Sequence, residues 1–225
     1  MKLTYAPTSP YARKVRIAAI ELGLIDKIAF VPTAVQPGKF NEDYSQTINP
    51  LRKLPALILD DGSTIVDSFV IAEYLDDLAG GGKLFPASGP DKWKRKTEHS
   101  ILQGMLEAML LCRYEKMLRP EEKRWQTWYD DQWDRAWHGF ALFEQKPDTF
   151  ARALDITQIA LVCALGYADF RAWNADPWPR APLPARFPSK HFPERQVMRS
   201  TPASPAPSTP VAPEIPPPVW QEPPL

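Results

Sequence analysis

The sequence predicts an α/β domain followed by an all-helical domain. Three observations carry this. From Lys2 to Leu78, short apolar runs of strand length alternate with segments of helical period. From Lys92 onward no strand pattern recurs, and the apolar residues keep a helical spacing. Between the two stretches, Ala79-Gly80-Gly81-Gly82-Lys83 interrupts both patterns and reads as a helix end running into a linker.

Lys2 to Ala6 reads as a buried strand. Pro10 to Leu22 reads as a helix, because Val15, Ala18, Ala19 and Leu22 recur at helical spacing, with Gly23 as its stop. Ser9-Pro10 supplies the start: serine as N-cap and proline at the first helical position. Ile28 to Pro32 is a second strand, and Thr33 to Asn49 a polar loop with one irregular helical turn. Ala56 to Leu59 and Thr64 to Val66 flank Asp60-Asp61-Gly62-Ser63, a hairpin signal. Asp67 to Leu78 is helical, with Ile71, Tyr74, Leu75 and Leu78 on one face. This order is that of a thioredoxin-like domain. A strand feeding a helix N-terminus, Lys53-Leu54-Pro55-Ala56-Leu57, and the helix start at Asp67-Ser68 together suggest a site for a small anionic peptide, with Ser9 facing its reactive atom.

The helical part begins with Lys92 to Leu118, whose apolar side carries Leu102, Met105, Leu106, Met109, Leu110 and Met117. A helix restarting at Pro120 runs to about Lys146. Asp155-Ile156-Thr157-Gln158 has the form of a capping box, with Leu154 and Ile159 as its staple. The following helix, to Phe170, is apolar nearly all round and belongs at the centre of the second domain. The domains expected are 1–79, a linker at 80–90, a helical domain at 91–173 and a proline-rich tail at 174–225, largely disordered from about residue 200. Pro216-Pro217-Pro218-Val219-Trp220 has the form of a polyproline ligand, although such tails are more often spacers.

Composition narrows the functional class. The 225 residues carry 27 basic and 27 acidic side chains, so no charge excess points to nucleic acid or an anionic membrane. The run Lys92, Lys94, Arg95, Lys96 reads as the solvated face of a helix. The N-terminus lacks an apolar leader core, and the longest apolar run, Ile159 to Ala168, is too short to span a bilayer. Two cysteines, Cys112 and Cys163, lie in apolar helical patterns and read as buried structural thiols. They form no metal-ligand spacing and fit a reducing, cytoplasmic compartment. No metal and no cofactor is expected, and His99, His138 and His191 have no assigned role.

Three motifs in order then carry a family resemblance. Ser9-Pro10-Tyr11-Ala12-Arg13-Lys14-Val15, Asn49-Pro50-Leu51-Arg52-Lys53-Leu54-Pro55-Ala56-Leu57, and Asp67-Ser68 with Ile71-Ala72-Glu73-Tyr74-Leu75 resemble the N-terminal domain of cytosolic glutathione S-transferases, in the bacterial-type branch with an active-site serine. Arg113-Tyr114-Glu115, Leu118 to Lys123 and Ala164 to Arg171 resemble that branch's helical domain. The resemblance implies a homodimeric, detoxifying transferase that joins glutathione, as co-substrate, to a small apolar electrophile. Ser9 would donate to the glutathione sulfur. Leu54, before a cis Pro55, would pair its backbone with the cysteinyl part, and Lys53 would contact a carboxylate. Asp67 and Ser68 would hold the γ-glutamyl group. The chain departs from the family at Asp67, where Glu is frequent, at Gln158, where Asp is usual, and after Asn174, where prolines replace a Leu- and Trp-lined helix.

Each assignment has a plainer rival. Ser9 and Asp67 could be helix caps alone, Pro55 an ordinary trans proline, and Tyr5 the thiol activator in place of Ser9. Trp125, Trp128 and Tyr129 share a helical face. With Tyr11, Trp125 and Tyr129 are the candidates for an apolar acceptor pocket, against plain helix packing. Two other functions stay in view. One is a non-catalytic glutathione-binding or regulatory protein on the same fold. The other is a thiol-disulfide reductase or glutathione lyase, which a serine at position 9 disfavours because mixed-disulfide chemistry needs a protein thiolate.

Overall fold

The computed structural model describes residues 1–146 and 148–171. The expectations for the tail, for its polyproline segment and for the replaced last helix lie outside these residues.

The N-terminal half is a thioredoxin-like domain. Strands β1 (Lys2–Tyr5), β2 (Ala29–Pro32), β3 (Ala56–Ile58) and β4 (Thr64–Ile65) form one sheet in the order β2-β1-β3-β4. β1 runs parallel to β2, through the crossover helix α1 (Pro10–Glu21), and antiparallel to β3. β3 and β4 form the expected hairpin, with Gly62 at φ 86 and the Asp61 carboxylate accepting from Ser63 N–H at 2.9 Å. Strand alternation sends Leu3 and Leu57 to one face, where they meet Val15 and Ala19 of α1 and Ile71 and Leu75 of α3 (Ser68–Leu78). Thr4 points to the other face. There the short helix α2 (Glu42–Thr47), which replaces the single irregular turn expected, brings the Tyr44 hydroxyl to 2.9 Å from Thr4 Oγ1.

The C-terminal half is all helical: α4 (Gly89–Leu118), α5 (Gln126–Glu144), α6 (Asp148–Ala151) and α7 (Ile156–Phe170). Its core joins Leu102, Leu106 and Met109 of α4, Trp133, Ala136 and Phe140 of α5, and Leu161 and Ala164 of α7. The other side of α7 reaches the first domain. Ile156, Ile159 and Cys163 pack with Ile17 and Ala18 of α1, Ala72 of α3, and Leu84 and Phe85 of the linker. The all-round apolar helix is therefore central to both halves.

Several local expectations change. Leu78 and Met117, assigned to apolar faces, are exposed, each within the last turn of its helix where no neighbour covers it. The helix placed from Pro120 begins only at Gln126, after a 3-10 turn at Glu121–Lys123, and the buried Glu115 carboxylate accepts the Trp125 N–H at 2.7 Å. α4 starts at Gly89, inside the expected linker. The basic run is only partly solvated: Arg95 bonds Glu98 at 2.8 Å and Asp155 at 3.1 Å, and Lys96 bonds Glu73 at 2.6 Å. The capping box is half made. Asp155 accepts from Thr157 and Gln158 N–H, but the Gln158 side chain donates to the carbonyls of Arg152 and Ala153. An amide nitrogen can donate there, and a carboxylate could not. No helix among the described residues is long and apolar enough to cross a membrane.

Candidate functional site

Ser9 stands where β1 hands the chain to α1. Its backbone is extended (φ −80, ψ 118), and its Oγ accepts the Ala12 N–H at 3.2 Å. Its own N–H donates to Ala6 O at 3.0 Å, closing the turn that aims α1. A capping serine uses a lone pair, so the hydroxyl proton remains to be given. The cap and the donor are different parts of one group, and the two readings of Ser9 do not compete.

The segment before β3 is braced from beneath. The Leu54–Pro55 peptide bond is cis, as the resemblance implied. The Lys53 carbonyl accepts from the Tyr44 hydroxyl at 3.0 Å and from Asn49 Nδ2 at 2.9 Å, while the Lys53 side chain is exposed. The Ala56 N–H donates to Thr4 Oγ1 at 3.1 Å. Leu54 is thereby held between two anchored residues. Tyr44, Asn49 and Thr4 were not singled out from sequence; the signal was their polar character at positions that the fold buries.

At the start of α3, Asp67 is the N-cap. Its Oδ1 accepts from Phe69 N–H at 2.8 Å and Val70 N–H at 3.3 Å. The side chain is exposed, and its second oxygen has no hydrogen bond among the described residues. Ser68 is buried, and its Oγ accepts from Lys14 Nζ at 3.2 Å. Lys14, which stands in the first motif, is a buried lysine of α1. The available signal was its place three and four residues before Ile17 and Ala18, on the face that α1 buries.

The acceptor-side candidates separate. Tyr11, in the first turn of α1, packs against the helical core, and its hydroxyl is buried with no hydrogen-bond partner among the described residues. Burial, then the nearby Glu107 carboxylate, raises its pKa strongly, so it stays a protonated donor. Trp125 and Tyr129 do not form the shared face expected. Trp125 precedes α5 as its N-cap residue and is 65% exposed, whereas Tyr129 is buried in the α4–α5–α7 core. The reason is the late start of α5: helical spacing counts only residues inside the helix. A cavity of about 550 Å³ opens between α4 and α5, lined among others by Ile101, Leu111, Gln132, His138 and Leu142, and none of the three candidates borders it.

Both cysteines are buried thiols. Burial pushes Cys112 up to about 12 and Cys163 also upward. No group of three or more metal-ligating side chains exists among the described residues.

A thioredoxin-like half followed by a helical half is the architecture of a glutathione transferase, and comparison with known proteins agrees. Residues 8–78 match the family model of the glutathione S-transferase N-terminal domain. A glutathione transferase family member from Pseudomonas fluorescens Pf-5, solved with bound glutathione, is 35% identical; the match covers 89% of this chain and 98% of that one, with a TM-score of 0.81. Glutathione S-transferase 2 of Saccharomyces cerevisiae is 29% identical over 68% of this chain and 71% of its own. The uncharacterized GST-like protein YibF of Escherichia coli is 27% identical over 76% of this chain and 83% of its own. This chain belongs to the glutathione S-transferase family.

Proposed function

We propose that this protein binds glutathione and transfers its thiolate to small apolar electrophiles, with Ser9 as the thiol activator. The observation that carries the reading is Ser9 itself: a hydroxyl at a helix N-terminus whose lone pair is used by Ala12 N–H and whose proton is left to donate. The bound glutathione of the Pseudomonas relative supports the ligand. On this reading residues 1–79 hold glutathione, and residues 91–173 face the electrophile. Leu54 and Pro55 align the cysteinyl part, Asp67 and Ser68 receive the γ-glutamyl ammonium and carboxylate, and Lys53 reaches a carboxylate from the surface. Tyr11 is the acceptor-side residue we retain, because its buried hydroxyl lacks a partner. A homodimer in the cytoplasm, acting in detoxification, completes the reading that the resemblance implies.

The energetics are adequate without a metal or a general base. A free thiol titrates near ~8.5, and lowering it by about two units takes roughly 2.7 kcal/mol of selective stabilisation. A hydroxyl donating to a charged acceptor supplies about 1.5–3 kcal/mol. The helix N-terminus adds up to about 2 kcal/mol. The thiol proton leaves to solvent. The thiolate sulfur then forms a bond to the electrophilic carbon as a leaving group departs with its electron pair, or as an activated double bond accepts the pair. A reductase mechanism has no accessible protein thiol to use, because Cys112 and Cys163 are both buried.

The test is steady-state kinetics with glutathione and an aryl halide. Wild type turns over, and Ser9→Ala lowers kcat at least about tenfold, or ~1.4 kcal/mol, with glutathione binding retained. Unchanged turnover would move the activator role to Tyr5. Absence of turnover in a wild type that still binds glutathione would favour the non-catalytic binding protein.

A further inference from the structure

The Lys14 ammonium is fully buried and has three protons. It spends them on Ser68 Oγ at 3.2 Å, His99 Nε2 at 2.9 Å and Gln103 Oε1 at 2.8 Å. All three acceptors are neutral, and no carboxylate among the described residues forms an ion pair with Lys14. To accept, His99 must carry its proton on Nδ1. Burial, and then the charge on Lys14, hold its pKa far below the usual imidazole range. The cluster therefore contains one positive charge. Around it stand the Tyr11 ring, 5.8 Å from Nζ on α1, Asp67 at the start of α3, Glu107 on α4 and Cys163 on α7. A buried charge with hydrogen bonds but no counter-ion costs several kcal/mol, so an all-structural role is a poor account of it.

Its position supplies a better one. Ser68 is the first residue of α3, where helical N–H groups have no partner within the helix. A hydroxyl that accepts from Lys14 turns its own proton away from Lys14, toward that helix end. We propose that Lys14 is a positioning residue of the glutathione site: it aims the Ser68 hydroxyl as a donor and supplies the buried charge that the γ-glutamyl carboxylate neutralises on binding. This rests on the reading that Asp67 and Ser68 receive the γ-glutamyl group. Lys14 does not touch the ligand and acts through Ser68. Burial lowers its pKa to about 8, against the opposing effects of Cys163, Asp67 and Glu107. A bound carboxylate favours the ammonium. Affinity for a carboxylate is thus full below about pH 8 and falls as pH rises through it.

The experiment is titration calorimetry with two probes: S-methylglutathione, and the same molecule lacking only the γ-glutamyl α-carboxylate. In wild type the first binds about tenfold or more tightly than the second at pH 7, and this ratio falls about threefold by pH 8.5. Lys14→Met brings the ratio to about threefold or less and removes its pH dependence, while affinity for the second probe changes less than about twofold. A folded Lys14→Met protein with the wild-type ratio overturns the proposal, as does an equal loss of affinity for both probes, which marks a merely structural lysine. If Lys14→Met does not fold, the wild-type profile decides, and a ratio flat from pH 7 to 8.5 overturns it. Failure of wild type to bind S-methylglutathione at all would instead overturn the glutathione reading beneath it.

Discussion

Two helix caps in this protein each leave an atom uncommitted. Ser9 caps α1 with a lone pair and keeps a proton; Asp67 caps α3 with Oδ1 and keeps Oδ2. The asymmetry gives a clean test at Asp67. Asp67→Asn retains an oxygen for the Phe69 and Val70 N–H groups but loses the charge that the proposed function assigns to the γ-glutamyl ammonium. We expect an unchanged Tm and a glutathione Kd about fivefold weaker, the small size following from the exposure of Asp67. Calorimetry with differential scanning on the same samples checks both. An unaltered Kd would leave Asp67 as a cap alone. Ser9, Asp67 and Pro55 were legible in the sequence because their roles are local: a hydroxyl or carboxylate at the residue before a helix, a proline before a strand. Lys14 and Tyr44 were not, because they have partners far along the chain: Ser68 and His99 lie 54 and 85 residues from Lys14, and Thr4 lies 40 from Tyr44.

At the scale of elements, helix packing turns on small residues at close approach. A Cβ at Gly139 of α5 would collide with the Met105 side chain of α4, whereas one at Gly104 of α4 would meet nothing within 4 Å. Both positions gain up to about 1 kcal/mol of helix propensity on Gly→Ala. At Gly139 overpacking, worth about 1–3 kcal/mol, outweighs it. Gly104→Ala should therefore raise Tm by about 2–4 °C and Gly139→Ala lower it by at least about as much, measured by thermal unfolding. Equal shifts at the two sites would contradict the packing described. The same scale explains why Trp125 and Tyr129 do not share a face. Their spacing is helical, but the buried Glu115 carboxylate captures the Trp125 N–H and starts α5 one residue later. A long-range acceptor set the boundary, and local propensity carries no record of it.

Across the whole molecule, one ionic network ties α4 to the start of α7. Glu98, buried, takes Arg95 at 2.8 Å, Arg152 at 3.2 Å, Lys146 at 3.5 Å and the Thr157 hydroxyl at 3.2 Å. Burial alone would raise its pKa; the Arg95 hydrogen bond and the Arg152, Arg95 and Lys146 charges outweigh it and hold the carboxyl below its ordinary value. A depressed folded pKa contributes stability that is complete above the unfolded value of about 4.3 and is lost as pH falls through the folded one. Urea unfolding should give a stability that declines from about pH 4.5 downward, and Glu98→Gln should be less stable at pH 7 by about 2 kcal/mol with a shallower acid decline. Identical acid profiles for the two proteins would exclude Glu98 as a source of the pH dependence.

The sequence by itself determined the element order of the first domain, the two-part division, and the starts of α1, α3 and α7. Each of these follows from interactions within a few residues: periodicity, caps, the Asp-Gly turn, proline and glycine. The tertiary structure alone decided that α7 serves both halves, that the basic run at Lys92–Lys96 enters an ion network, that Tyr11 rather than Trp125 or Tyr129 keeps an unpartnered buried group, and that Lys14 joins α1, α3 and α4. These are statements about which distant side chains share one low-dielectric volume, and burial and charge acquire their energies only once the chain has closed around them.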